Sequence, residues 1–124
     1  MALILAAVLG VFVSLVGAAI MWSPFNALQA FGIDPSHMAD IGLAPGLGLR
    51  QLALGLIIVA LALARQARAL GTVLLIGSVI PVGDFAIAGK EFGYAGAVRH
   101  LVTLPFSLLL GLVLVSRPSK LYGR

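Results

Sequence analysis

The chain contains no cysteine, four acidic residues and eight lysines and arginines among its 124 residues. Each scarcity removes a class of function. Without thiols there is no disulfide framework, no dithiol redox couple and no thiolate metal site. Ten per cent charged residues against 61% apolar ones lies far from the roughly 25% charged and 45–50% apolar mix of soluble domains. A small globule has a high ratio of surface to volume, so this chain could not hide its apolar surface from water. The net charge of +4 is no nucleic-acid footprint either. The basic residues are scattered and form no stripe of the kind phosphate binding needs, so nucleic acid is not expected as a partner.

What the chain has in abundance is long apolar runs. A hydrocarbon core about 30 Å thick takes roughly 20 apolar residues in a helix, and four segments qualify: Ala2–Trp22, Leu43–Ala64, Ala69–Ala88 and Ala95–Ser116. No segment reads as a strand. The expected fold class is all-α, a four-transmembrane-helix bundle forming a single domain over residues 1–124, with the lipid bilayer as its first partner. The first run has no basic leader and no clear small-residue cleavage pattern before Pro24, so it reads as a span rather than a secretory signal. Only Arg65-Gln66-Ala67-Arg68 separates the second and third runs, which makes them an antiparallel hairpin.

Four crossings put the two termini and that short connection on one side. This side holds Arg65, Arg68, Arg117, Lys120 and Arg124 and no acidic residue, whereas Asp34, Asp40, Asp84 and Glu91 fall on the other. The positive-inside bias then makes the first side cytoplasmic, in the cell membrane, with Trp22 and Tyr94 near the outer interface and Tyr122 near the inner one. The outer connection, Ser23 to Gly42, is expected to form two short interfacial pieces. One is Pro24–Phe31, stopped by Gly32; the other opens on Asp34 as cap with Pro35 at its first position. A weak echo, Gly17-Ala18-Ala19-Ile20 against Gly77-Ser78-Val79-Ile80, is the mark of a two-plus-two helix repeat.

Charge inside hydrocarbon costs several kcal/mol unless it is paired or snorkels to water, so the few ionisable residues within the spans carry most of the information. Counted at about 1.5 Å per residue from the basic markers on the inner side, Arg50, Asp84, Arg99 and His100 all lie roughly 22–27 Å deep. Three helices thus bring them to one layer near the outer face. Two readings of that layer stand side by side. In one, Asp84 is neutralised by arginine while the remaining cations snorkel to headgroups. In the other, Arg50, Gln51, Asp84, Arg99 and His100 line a ligand-binding pocket, and the excess of positive charge selects a lipophilic molecule with an anionic or carbonyl head.

Helical spacing adds detail. His100, Thr103 and Ser107 fall on one face of the fourth span, and Gly77, Pro81 and Asp84 on one face of the third. Pro81 and Pro105 each lack a donor, which frees the carbonyls of Gly77 and Leu101 and predicts kinks in both spans. Gly10, Ser14 and Gly17 on the first span, and Gly48, Gln51 and Gly55 on the second, form small-residue faces that allow close approach. Gln51, set among glycines, is expected to hydrogen-bond across the bundle.

Gly48-Leu49-Arg50-Gln51-Leu52-Ala53-Leu54-Gly55, Ile80-Pro81-Val82-Gly83-Asp84 and His100, in that order, resemble a family of small four-helix membrane proteins known only as a domain of unknown function, family 4267. That family is similar in size and architecture to the DoxX-like proteins. The resemblance covers nearly the whole chain and implies a fold and a membrane location without an activity. In one respect this sequence departs from the pattern: an aspartate usually follows the arginine, and here Gln51 stands instead.

No nucleophile, base and oxyanion donor can be assembled, and two histidines, His37 and His100, without ordered carboxylates are a weak metal signal. No metal and no cofactor is therefore expected. The leading expectation is a non-catalytic binding module or a subunit of a larger assembly. Its alternatives are a membrane isomerase or cyclase using Asp84 and His100 as acid and base, and a dimeric transporter. The sequence leaves homo-oligomerisation open.

Overall fold

The computed structural model describes residues 1–30 and 44–117, and every regular element within them is helical. Helix α1 spans Ala2–Trp22, the range the apolar run dictates. It stops where the Ser23 N–H closes on the Ala19 carbonyl at 2.9 Å and Pro24 opens the next element, the short α2 over Pro24–Ala30. Proline suits that first position because its missing donor has no partner there in any case. Phe31 and Gly32, the expected second interfacial helix at Asp34 and Pro35, His37, Lys120, Tyr122 and Arg124 lie outside the described residues.

Helix α3 runs over Ala44–Leu63 and turns into α4, Ala67–Gly77, through a tight hydrogen-bonded corner. The Gln66 N–H donates to the Leu61 carbonyl at 2.9 Å and the Arg65 N–H to the Ala62 carbonyl at 3.1 Å. This is the pattern of a helix ended by a left-handed residue. That residue is Arg65, at φ 56°, where glycine is usual because a Cβ there costs roughly 1–2 kcal/mol.

The third and fourth spans are less regular than their hydropathy predicts. The third divides at Ser78 into α4 and α5, Val79–Phe92, where the Ser78 N–H is shared between the carbonyls of Leu74 and Leu75 at 3.1 and 3.3 Å. The break falls one turn before Pro81, as a residue that leaves the Gly77 carbonyl without a donor requires. The expected single span over Ala95–Ser116, kinked at Pro105, is not one helix. Its place is taken by α6, Tyr94–Ala97, a 3-10 turn over Val98–Leu101 and α7, Leu104–Val115. Pro105 sits in the first turn of α7, so it starts a helix where a kink within one was expected. The α-helical spacing of His100, Thr103 and Ser107 is interrupted with it.

Three stretches are long and apolar enough to cross a membrane, Ala2–Trp22, Ala44–Leu63 and Ala67–Lys90, with Leu104–Val115 as a shorter apolar fourth. Large apolar side chains point outward along them: Ile4, Val8, Val11 and Leu15 form one exposed face of α1. Only a bilayer accommodates such a surface, and this places the protein in a membrane. Because lipid is as apolar as the interior, small residues mark the protein-facing side.

The helices associate as two pairs. Helix α1 lies along α3, and α4 along α7. In the first pair Gly10 faces Gly55 and Gly17 faces Gly48, so closely that a Cβ on Gly48 would come within 2.7 Å of the Gly17 carbonyl oxygen and one on Gly55 within 2.6 Å of that of Gly10. The second pair repeats the device with Gly71, whose Cβ would lie 2.8 Å from the Gly111 carbonyl oxygen. The four long helices thus pack two and two. The sequence echo does not mark this pairing, since Gly77 meets nothing within 4 Å. All four long elements come together in one cluster, made of Ala2, Ala6, Ile58, Ala62, Leu70, Leu74, Leu110 and Leu114. Every one of these belongs to the end of its helix that carries Arg65 and Arg68.

Candidate functional site

The end of the bundle opposite that cluster holds the residues singled out by their charge. Asp84 lies in the middle of α5, half-buried, with half-buried Pro81 and Gly83 on the same helix. Helix α5 ends at Gly93, whose backbone adopts φ 90° and ψ 144°, a region open essentially to glycine alone. The chain therefore reverses sharply. Tyr94 folds back over α5, its ring 5.5 Å from that of Phe85 at a tilt of 53° and in contact with the space above Gly89, where any Cβ would meet the ring. This corner sets the 3-10 turn Val98–Leu101 against α5. The backbone that carries Arg99 and His100 is thus brought to the helix that carries Asp84.

Arg50 is placed differently. Its side chain is exposed on α3, which lies along α1 in the other hairpin. No ion pair links it to Asp84 among the described residues, so the neutralisation of Asp84 by Arg50 is not formed. An exposed arginine on an apolar helix reaches polar surroundings with its long side chain.

Gln51, the next residue, faces inward as its glycine neighbours require. In sequence it lies between Gly48 and Gly55, the two glycines of α3 that pack against α1. The expected hydrogen bond across the bundle is not made by its carbonyl: Oε1 is buried and has no partner. The Ser14 hydroxyl of α1 donates to the Gly10 carbonyl at 2.8 Å, as a serine within a helix satisfies itself one turn back.

Sequence reasoning overlooked one polar contact between spans. Ser78, 5% exposed, donates to the Leu74 carbonyl at 2.8 Å and meets the Ser107 hydroxyl at 3.1 Å, while Ser107 also reaches the Leu104 carbonyl at 3.1 Å. The signal was present, since each serine stands within three residues of a proline. Hydroxyls gather where a proline has loosened the backbone, because freed carbonyls in lipid need donors.

Among the described residues no group of histidine and carboxylate side chains is placed to hold a metal ion. What the outer end offers is one carboxylate on α5, an adjoining segment that supplies a guanidinium and an imidazole by sequence, and open space beside Gly83, where a Cβ would meet nothing within 4 Å. Such a set can hold a polar head by charge and hydrogen bonds while its apolar part remains in lipid.

Comparison with known proteins returns one family. The model described as a domain of unknown function (DUF4267) matches residues 10–114, a range that contains both glycine-packed helix pairs and every residue of the candidate site. No curated protein and no solved structure matches the chain.

Proposed function

The chain belongs to the DUF4267 family, and we propose that it is a non-catalytic binding module of the cell membrane that takes a lipophilic molecule with an anionic or carbonyl head. In this reading the termini are cytoplasmic. The head group lodges near the outer face beside Asp84, Arg99 and His100.

One observation carries the proposal. Among the described residues, the buried cluster shared by all four long elements lies toward the end bearing Arg65 and Arg68, while at the other end the segment of Arg99 and His100 is folded against the helix of Asp84. A polar group at that depth costs several kcal/mol without a partner or water. Gathering such groups away from that cluster is what a site open to the outer leaflet requires. A stabilising charge network would instead be enclosed by the core.

The test is extraction of the purified protein with organic solvent, followed by mass spectrometry. An amphiphile enriched over bulk lipid is expected with the natural chain and is lost with Asp84→Asn at unchanged helical content. Equal, unenriched extracts from both proteins would overturn the proposal.

A further inference from the structure

We infer that the outer half of the second hairpin is a hinged body. It comprises α5, α6 and the 3-10 turn, swings about a level near the middle of the bilayer, and thereby admits a ligand sideways from the outer leaflet. The inference rests on the binding role proposed above for the layer of Asp84, Arg99 and His100.

Both chain segments that lead into this half are interrupted, and at the same height. The third span breaks at Ser78, one turn before Pro81. The returning chain breaks between Leu101 and Leu104, with Pro105 in the first turn of α7. The contact between the Ser78 and Ser107 hydroxyls shows that the two breaks lie side by side. Ser78 is ten residues beyond Arg68 and Ser107 ten before Arg117, so at about 1.5 Å per residue each sits roughly 15 Å from the inner face, half of a core about 30 Å thick.

On either side of this level the chain is internally tight. Inward, α4 and α7 are locked by the close approach of Gly71 and Gly111, with Leu70 and Leu114 fully buried. Outward, α5, α6 and the 3-10 turn contact one another and are fastened by Tyr94 over Phe85 and Gly89. Across the level itself, the side-chain hydrogen bond among the described residues is the pair of serine hydroxyls, flanked by two irregular backbone stretches. Pro81 leaves the Gly77 carbonyl without its helical donor, Pro105 marks where α7 begins after the irregular turn, and hinges are a few element-terminal residues that absorb the change in backbone angle. Two rigid pieces with coincident weak points bend there before either piece deforms.

Because the chain has no cysteine, spin labels can be placed without removing native thiols. A pair at Leu47→Cys and Lys90→Cys reports across the outer ends of the two hairpins, and a pair at Leu63→Cys and Thr72→Cys across the inner ends; all four positions are exposed. Pulsed electron paramagnetic resonance in lipid nanodiscs is expected to give an outer-pair distance distribution about twice as wide as the inner one, as hinge motion of a body implies. Replacing both prolines, Pro81→Ala with Pro105→Ala, narrows the outer distribution to the inner width. An outer distribution as narrow as the inner one in the natural background, or one whose width is unaffected when the double variant folds, would overturn the hinge. The measurement needs no ligand, so a hinge seen without an enriched amphiphile in the extracts contradicts the binding role alone, and an enriched amphiphile without the broad distribution contradicts the hinge alone.

Discussion

Single residues in this protein are governed by whether a polar atom has somewhere to go. The hydroxyls of Ser14, Thr72, Ser78, Ser107 and Ser116 all return to a carbonyl three or four residues earlier, the only partner that a lipid-embedded helix always provides. Gln51 Oε1 is the exception, and an unpartnered buried polar atom costs about 1–3 kcal/mol. Gln51→Met keeps the length of the side chain and removes the orphan. It is expected to raise resistance to unfolding in detergent, followed by circular dichroism, by roughly 1 kcal/mol. A loss of stability would show that the amide is bonded after all. That Gln51 points inward was legible from its spacing with Gly48 and Gly55. That its oxygen goes unmatched was not, because where a hydroxyl such as that of Ser14 donates depends on a rotamer rather than on residue type.

Elements were legible in proportion to how regular they are. Helix α1 coincides with its apolar run, and the end of α3 lies one residue inside the expected boundary, since hydropathy and helix coincide when nothing interrupts the backbone. The outer half of the second hairpin was read less well. A hydropathy window cannot distinguish one helix of 22 residues from a short helix, a 3-10 turn and a second helix of the same composition. The deciding residues are Gly93, which alone tolerates the backbone angles of the corner, and Pro105, which initiates α7. Gly93→Ala forces a side chain into that conformation and is expected to cost about 1–3 kcal/mol in the same unfolding assay. Gly46→Ala, at a helical glycine with open space around it, should be neutral or stabilising. Equal stability of the Gly93 variant and the natural chain would mean that the corner is not built as described.

At the scale of the molecule, two helix pairs closed by glycines share a buried cluster at the end that carries Arg65 and Arg68, and Asp84 lies toward the other. The sequence made the helical membrane bundle and its small-residue faces readable, because each follows from counting along a helix. It did not reveal that no ion pair joins Arg50 to Asp84 among the described residues, since which helix pairs with which is settled by backbone approach at Gly10, Gly17, Gly48 and Gly55, and depth alone says nothing about azimuth. The account stands or falls on whether water reaches the helix of Asp84 from outside. Gly83→Cys, at a half-buried position with open space for the new side chain, puts a thiol beside that carboxylate in a chain with no other thiol. Treated in intact cells with a membrane-impermeant maleimide, it is expected to be labelled from the outer side, because only a hydrated thiol ionises and reacts. Leu109→Cys, exposed on α7 and facing lipid, should stay unlabelled. Resistance of Gly83→Cys equal to that of Leu109→Cys would contradict a site open to the outer face.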